Sequence, residues 1–372
     1  MIKYSELGMD KRLNDIVMAG SHDAGITTGA ANAKTQSLDI FLQATAGVRL
    51  FDLRIAAATV SSGGALGKEA QMKAYHAGGP LQKKETKSRY LDDLGRQQDI
   101  VRSKLVMDMG EWGMGLTRML ADAKKFVETN REEFLILKFD KCTNWLQIAE
   151  TCIRFLGNAI YCGSGNVNTR TLRELAGSVI VVFSDAALQQ QVRGTYSAAM
   201  GILGIRKVPA EGAYDPKYNG IQYHGKGGTS PYNFLTDKIK QNIGKQSKLM
   251  KQGGDGNPDV LGMMYWTTTG LTESIYKRNE KMWSEPKVAK LRKLWSEGLA
   301  DSIESRLASN VDPRAAASGG VLKAFMPNFV MIDFADAGKC RTIYDMNSVA
   351  ATALTSAAQI ADQKFGPRVR FK

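Results

Sequence analysis

The chain has 372 residues, of which 43% are hydrophobic, and a formal net charge of +13. This much apolar sequence can bury a large core, which excludes a small domain stabilised mainly by disulfides, and one large domain is the default. The positive charge favours anionic partners, such as acidic lipid surfaces, phosphorylated substrates or nucleic acid.

Cysteine content and the lack of long apolar segments exclude further classes. The four cysteines form no C-x-x-C pair and are too sparse for a disulfide framework, so we predict core or free thiols at Cys142, Cys152, Cys162 and Cys340. No stretch has the roughly 18 apolar residues of a membrane span, and the first residues lack the apolar region of an ordinary export signal. We expect a soluble protein that is peripheral at membranes, and three locations stay open: the cytoplasm, export after removal of a signal, and delivery by a signal-independent route, for example as a toxin brought into target cells.

Short apolar runs recur along the chain and predict buried strands. They lie at 15–19, 48–55, 134–140, 178–184, 260–267 and 329–334. Helical spacing appears between several runs, first at Leu116, Leu120, Ala123, Phe126 and Val127, and then at Leu146, Ile148, Cys152 and Phe155. Strand and helix therefore alternate, which predicts βα units.

Two α/β folds fit this alternation, a closed TIM-type (β/α)₈ barrel and an open doubly wound sheet. The glycine-rich phosphate loops that usually mark the open sheet are missing, so we predict the barrel, whether regular, distorted or incompletely closed. We expect one barrel domain over 1–372, with surface loops at 61–69, 225–231 and 251–258. A C-terminal helix and basic tail are predicted within 345–372, with the helix near 347–363.

The first of the three histidines directly follows the first apolar run, in Met18-Ala-Gly-Ser-His22-Asp23-Ala-Gly25. Catalytic groups of a barrel lie at the C-terminal ends of its strands, and we expect the flanking glycines to let a ligand approach the backbone. A core histidine bonded to a carbonyl is the structural alternative, and this segment alone does not decide between the two.

The second run, Gly47-Val-Arg49-Leu-Phe-Asp52-Leu-Arg54-Ile55, ends with charged side chains. Asp52 and Arg54 are two residues apart and share a face of the strand, where burial is costly unless they are paired or used. A structural ion pair is one interpretation, and clamping of a phosphate by the planar guanidinium is the other. With His76 in Tyr75-His76-Ala-Gly78, the sequence offers a base, an acid and a cation for metal-free cleavage of a phosphodiester.

Several segments resemble motifs of the phosphatidylinositol-specific phospholipase C family, and they follow one another in the same order as in that family. They are Ala19 to Gly25, Gly47 to Arg54, His76 to Gly78, Asn130 to Leu137, Thr171 to Val181, Met264 to Thr267 and Asn328 to Phe334. The resemblance covers about residues 5–340. Segment 190–260 matches no family motif, and this is the part expected to recognise the headgroup.

The resemblance implies a role for each matched residue of the acid/base machinery. His22 is the general base, which takes the proton of a sugar 2-hydroxyl so that this oxygen attacks phosphorus and forms a cyclic phosphate. His76 is the general acid for the departing diacylglycerol, assisted by Asp23. Asp333 orients His22 and makes it more basic.

The resemblance also implies that no metal or other cofactor is required. Arg54 stands where the calcium-dependent branch of the family has a carboxylate ligand, and it would stabilise the phosphoryl charge with support from Asp52. Asp140 points the other way, since calcium-dependent enzymes keep an acidic ligand nearby. Lys138 and Asp140 are interpreted as substrate-contacting residues or, with equal weight, as a buried ion pair.

Two aromatic residues and the third histidine complete the candidates. Tyr265 and Trp266 are candidates for stacking on a sugar ring, with core packing as the alternative. His224 lies in a predicted loop and is more simply explained as incidental. From the resemblance we expect a phospholipid substrate at an anionic membrane surface and no nucleic acid partner.

Three functions remain open from the sequence. The first is a metal-independent phospholipase C. The second is a metal-dependent glycerophosphodiesterase or an enzyme similar to sphingomyelinase D, which would need clustered carboxylates around a Mg²⁺ ion. The third is a non-catalytic barrel that binds lipid headgroups.

Overall fold

The computed structural model describes most of the chain. The described residues are 1–61, 68–77, 82–91, 97–104, 110–185, 188, 192, 194–227, 237–252, 259–268, 274–294 and 327–348. The strands are β1 Met18–Ser21, β2 Val48–Leu53, β3 Ile55–Ser61, β4 Lys68–Ala77, β5 Gln82–Leu91, β6 Gln97–Lys104, β7 Gly110–Gly115, β8 Leu135–Phe139, β9 Val179–Ser184, β10 Ile202–Lys207, β11 Gly220–Lys226, β12 Leu261–Tyr265 and β13 Phe329–Ile332. The helices are α1 Ile40–Ala46, α2 Leu116–Thr129, α3 Trp145–Leu156, α4 Leu172–Leu175, α5 Lys238–Gln252, α6 Ile275–Met282, α7 285–294 and α8 337–348.

Eight of these strands form a closed parallel barrel in the order β1-β13-β12-β11-β10-β9-β8-β2, and β2 pairs back with β1. The predicted TIM-type (β/α)₈ barrel is therefore confirmed, and it is closed. All six predicted apolar runs supply a barrel strand, each within a few residues of its predicted limits. Two barrel strands, β10 and β11, were not predicted.

A second sheet of five strands is inserted between the barrel strands β2 and β8. Its order is β5-β6-β3-β4-β7, mostly antiparallel. Only Arg54 separates β2 from β3, so the chain passes directly from the barrel into this sheet. The sequence analysis did not predict this sheet, and the loop expected at 61–69 is wrong at both ends, since Ser61, Lys68 and Glu69 belong to strands.

Helix α2 shows why the helical spacing was informative. Leu116, Leu120, Ala123, Phe126 and Val127 are all buried in the core, as their i, i+3, i+4 pattern predicts. In α3 the prediction was right for Ile148 and Cys152, whereas Leu146 and Phe155 are only partly buried. Trp145, Ala149 and Leu156 complete the buried face of α3.

Arg49 and Glu133, two residues of the matched motifs, form a fully buried ion pair. The guanidinium of Arg49 donates to Glu133 Oε2 from Nε at 2.9 Å and from Nη2 at 2.6 Å. It lies between the rings of Tyr4 and Phe126, 5.0 Å from each ring centroid. The backbone amides of Tyr4 and Ser5 also donate to Glu133, so this pair fastens the N-terminal segment to the barrel.

Within the described ranges, no helix is long and apolar enough to cross a membrane. The other two predicted loops fall partly outside these ranges: Gly225 and Lys226 are strand residues and 251–252 end α5, while 228–231 and 253–258 are not described. Of the C-terminal helix predicted at 347–363, positions 347 and 348 end α8, and the remainder with the basic tail lies outside the described residues. Cys142, Cys152 and Cys340 are buried free thiols and Cys162 is an exposed one.

Candidate active site

The register of β1 and β13 places His22 beside Asp333. The two strands pair in parallel with Ser21 opposite Ile332, so the next residue of each strand lies at the same C-terminal edge of the barrel. Nδ1 of His22 donates to Asp333 Oδ1 at 2.9 Å, and the backbone N–H of His22 donates to the Ile332 carbonyl at 3.0 Å. The carboxylate therefore fixes the orientation of the ring and leaves Nε2 facing the rest of the site.

Asp23 lies at the centre of the site. Its side chain is almost fully buried, and its Oδ2 is 3.6 Å from Nε2 of His22 and 3.6 Å from Nε2 of His76. Oδ1 is 3.0 Å from Nε of Arg54, at an angle outside that of a straight hydrogen bond, so the contact is an ion pair. One carboxylate thus faces two imidazoles and one guanidinium.

The inserted sheet brings His76 and Arg54 to this carboxylate. Strand β3 pairs with β4 so that Ile55 lies opposite Ala74, and the N–H of Tyr75 donates to the Arg54 carbonyl at 3.0 Å. His76, the next residue of β4, therefore enters the site from the inserted sheet and not from a barrel strand.

Two glycines near His22 lie close against neighbouring side chains. A Cβ on Gly20 would lie 2.2 Å from the sulfur of Met331, and one on Gly25 would lie 2.5 Å from Cβ of Ala74. They admit neighbouring side chains of the barrel and the sheet, so packing alone accounts for glycine at these two positions, and the approach of a ligand to the backbone stays a prediction.

Asp52 and Lys138 form a second buried pair beside the first. The register of β2 and β8 places them directly opposite each other, and Lys138 Nζ donates to Asp52 Oδ1 at 2.7 Å. The hydroxyl of Tyr265 donates to Asp52 Oδ2 at 3.3 Å, and the edge of the Tyr265 ring meets the His22 ring at 5.7 Å between centroids. Asp52, Lys138 and Tyr265 thus line the barrel interior next to the imidazole of His22.

Of the remaining candidate residues, one lies at the opening of the barrel and two lie away from the site. Asp140 is partly exposed, and its Oδ2 is 3.6 Å from Lys138 Nζ. Trp266 is fully buried and donates to the Met282 carbonyl, so it is a core residue that a substrate does not reach. His224 pairs through Nδ1 with the Val208 carbonyl at 3.1 Å and does not join the cluster.

The pKa values of His22 and His76 are shifted in opposite directions. Burial disfavours the imidazolium form of His22, but the carboxylates of Asp23 and Asp333 outweigh it and raise the pKa of His22 to about 9. Burial lowers the pKa of His76 below its ordinary value, and Arg54 and His22 add to this effect against the attraction of Asp23. At neutral pH the free site therefore carries the proton on His22, and His76 is neutral.

Asp23 and Asp52 hold their charge despite burial, whereas burial raises the pKa of Asp333. Burial alone would raise the pKa of Asp23. Arg54 and the two histidines have the opposite and larger effect, so the pKa falls to about 2. Lys138 and Arg54 likewise keep the pKa of Asp52 below its ordinary value against the effect of burial.

Three side chains offer atoms that could bind a metal ion and lie within 4.8 Å of one another: His22, Asp23 and Asp52. Their charged neighbours decide whether the three fit a metal ion. Arg54 already neutralises Asp23, and Lys138 already neutralises Asp52. A divalent cation here would lie beside two permanent cations in a buried environment, so the set does not fit a metal ion.

Several supporting residues were not predicted from the sequence. The fully buried amide of Gln36 donates to the carbonyls of His22 and Ile332, and the thiol of Cys142 accepts from the Ile55 N–H at 3.2 Å beside Arg54. No sequence pattern marks them, because their partners are backbone groups brought together only by the fold.

Comparison with known proteins yields fold matches only. No family model matches the sequence, and no curated protein is similar to it in sequence. A variant phosphatidylinositol-specific phospholipase C from Staphylococcus aureus has a TM-score of 0.50 and 16% identity, with 92% of this chain and 95% of that chain covered. The phosphatidylinositol-specific phospholipase C from Listeria monocytogenes has a TM-score of 0.50 and 12% identity, with 92% and 96% covered. The predicted resemblance is therefore confirmed at the level of the fold.

Proposed function

We propose that the protein is a metal-independent phosphodiesterase that cleaves phosphatidylinositol or a related phospholipid into diacylglycerol and a cyclic phosphate. The observation that carries this proposal is the convergence of two imidazoles and a guanidinium on the Asp23 carboxylate, with 3.6, 3.6 and 3.0 Å to its oxygens. These are the base, acid and cation that phosphodiester cleavage needs.

In this reaction one P–O bond forms and one breaks, and one proton is taken up while another is released. Nε2 of His22 takes the proton of the headgroup 2-hydroxyl, and this oxygen forms a bond to phosphorus. The bond from phosphorus to the glycerol oxygen breaks, and Nε2 of His76 protonates that oxygen. Arg54 balances the charge on the non-bridging oxygens, while Asp333 stabilises the imidazolium formed on His22.

The protonation of the free site has a consequence for this reaction. Cyclisation needs neutral His22 and charged His76, whereas the pKa values favour the opposite arrangement. The pKa of His22 is raised to about 9 and that of His76 is lowered, so the free site rarely has its protons arranged for cyclisation. The anionic phosphate of a bound substrate offsets this by favouring the charged form of His76. The major form is instead suited to opening the cyclic phosphate with water, with His76 as base and His22 as acid.

The mouth of the barrel suggests how a polar headgroup is held. Asp140 is partly exposed there and Lys138 and Tyr265 lie below it, so carboxylate, ammonium and phenol groups border the space next to His22. Such groups bind hydroxyls and phosphate oxygens. We assign headgroup contacts to these three residues and leave Trp266 out of the set.

The rim near His22 has the chemistry of a membrane-facing surface. Tyr276, in the first turn of α6, is about half exposed and packs against Phe334 with ring centroids 5.1 Å apart. The exposed lysines 277 and 281 follow on the same helix. Interfacial aromatic residues and basic side chains favour anionic bilayers, which fits the net charge of +13.

The proposal is tested by incubating the full chain with vesicles of phosphatidylinositol, phosphatidylcholine, phosphatidylethanolamine or phosphatidylserine in EDTA. Products are followed by ³¹P NMR for the cyclic phosphate and by chromatography for diacylglycerol. We expect turnover of phosphatidylinositol, the lipid of this panel whose headgroup has the 2-hydroxyl that the reaction needs, and a loss of about 10²–10⁴-fold in His76→Ala. The other three lipids cannot form the cyclic phosphate and are expected to stay intact. His224→Ala is the matched control and is expected to keep parental turnover.

The alternatives predict different outcomes. A metal-dependent phosphodiesterase would be inactive in EDTA and recover with Mg²⁺ or Ca²⁺. A non-catalytic barrel would bind vesicles without converting any lipid, and either result would refute the proposal.

A further inference from the structure

The segment Thr35–Gln36 lies between the two turns that carry His22 and Asp333. It follows the exposed loop after β1 and contacts both the end of β1 and the end of β13 through hydrogen bonds. None of these contacts involves a reacting atom. The segment therefore connects the two strand ends whose side chains form the dyad of His22 and Asp333.

Gln36 makes three of the connecting hydrogen bonds through one fully buried amide. Its Nε2 donates to the His22 carbonyl at 2.9 Å and to the Ile332 carbonyl at 3.1 Å. Its Oε1 accepts from the Ala335 N–H at 2.9 Å. Both amide hydrogens and the amide oxygen are thus used on backbone groups that flank the dyad on either side.

Thr35 adds two more contacts to the same turns. Its carbonyl accepts from the Phe334 N–H at 2.7 Å, and its hydroxyl donates to the Asp23 carbonyl at 2.8 Å. Asp23 and Phe334 both have left-handed backbones, with φ of 43° and 47°. Such a conformation is uncommon outside glycine and is unfavourable for a bulky residue such as Phe334, whereas aspartate tolerates it better, and it persists where surrounding contacts hold it. Thr35 thus bonds to the backbone of both strained residues.

We propose that Thr35 and Gln36 are positioning residues that fix the distance between the His22 ring and the Asp333 carboxylate, and thereby the strength of His22 as a base. The effect on turnover rests on the proposed function, whereas the effect on His22 itself is measurable without any substrate.

The groups that face the His22 ring come from several elements and are all retained when Gln36 or Thr35 is changed. They are Asp23, Asp52 from β2, Asp333 from the end of β13, Arg54 from the corner between β2 and β3, His76 from β4 and Tyr265 from β12. A change in the titration of His22 therefore reports altered distances among these groups.

The test uses Gln36→Met, which keeps an unbranched side chain of similar length and removes all three hydrogen bonds. Gln222→Met is the matched control, because Gln222 is also fully buried and hydrogen bonded, but to Arg206 and Asp215 away from His22. The chain has three histidines, so each ring is followed individually by NMR titration, with His224 as an internal reference.

We expect Gln36→Met to lower the midpoint of the His22 titration by about one pH unit or more. Although this raises the neutral fraction of His22, we expect kcat to fall about tenfold or more with little change in KM, because the ring is no longer held in position. Gln222→Met should match the parent in both measurements. A folded Gln36→Met protein in which His22 titrates as in the parent would overturn the proposal.

A second pair of variants covers the case in which Gln36→Met does not fold. Thr35→Val removes the hydroxyl with little change in shape, and Thr35→Ser retains it. We expect Thr35→Val to shift the titration of His22 and His76, and Thr35→Ser to restore it; equal titrations in both variants would also contradict the proposal. Absence of turnover in the parent would refute the phosphodiesterase function and leave the titration result to decide the positioning role.

Discussion

Replacing Asp333 by asparagine removes one of the two carboxylates that favour the imidazolium form of His22, while the size of the side chain is kept. The rise of the His22 pKa from 6.5 to about 9 corresponds to about 3 kcal/mol in favour of the charged ring. Burial opposes this rise, so the two carboxylates together contribute more than the net value. Loss of Asp333, at 2.9 Å, should therefore bring the pKa of His22 below about 8.

Histidine NMR titration measures this change, and a pH profile of kcat/KM measures its consequence. The alkaline limb of the parent is expected near pH 9 and should move down together with the titration in Asp333→Asn. Turnover should fall by about 10²–10⁴-fold, because the ring loses its orienting partner. Asp185→Asn is a suitable control, since Asp185 is a buried carboxylate bonded to Tyr218 and not to His22. A His22 that still titrates near 9 in Asp333→Asn would refute this account of the dyad.

Two further predictions concern stability. Because the pKa of His22 is higher in the folded protein than the ordinary 6.5, its contribution is fully present below pH 6.5 and is lost as the pH rises through about 9. The free energy of unfolding, measured in urea, should fall by up to about 3 kcal/mol over this window, and His22→Asn should remove the dependence; an unchanged slope would contradict it. Lys138→Met leaves the buried Asp52 carboxylate without its 2.7 Å partner and should cost about 3–5 kcal/mol. The double variant Lys138→Met/Asp52→Asn should be less destabilised than Lys138→Met. A double variant destabilised by the sum of the effects of Lys138→Met and Asp52→Asn would show that the pair is not coupled.

Much of the barrel could be predicted because its strands are buried on both faces and read as continuous apolar runs. Two runs at opposite ends of the sequence, 15–19 and 329–334, become β1 and β13, and their parallel pairing brings His22 to Asp333. The same reasoning joins Asp52 to Lys138 across β2 and β8. In both cases the pairing of neighbouring strands accounts for the contact.

The inserted sheet could not be found in this way, because 82–104 is rich in charged residues and has no continuous apolar run. Strand β4 did carry a signal, since Ala70, Met72 and Ala74 alternate in burial with the more exposed Gln71 and Lys73. Trp266 is the opposite case, because it was a candidate for contacting the substrate and is a core residue. Adjacent residues at a strand end point to opposite faces, so Tyr265 and Trp266 were not both able to reach the same space.

The inserted sheet carries His76, whereas His22 and Asp333 belong to the barrel. The proposed acid and the proposed base are thus held by two different parts of the polypeptide, which meet at Arg54 and Asp23. Insertions, deletions or a new hairpin in the sheet can move the acid relative to the base while every barrel strand keeps its packing. In this architecture the place of His76 depends on the sheet, and the pairing of His22 with Asp333 depends on the barrel.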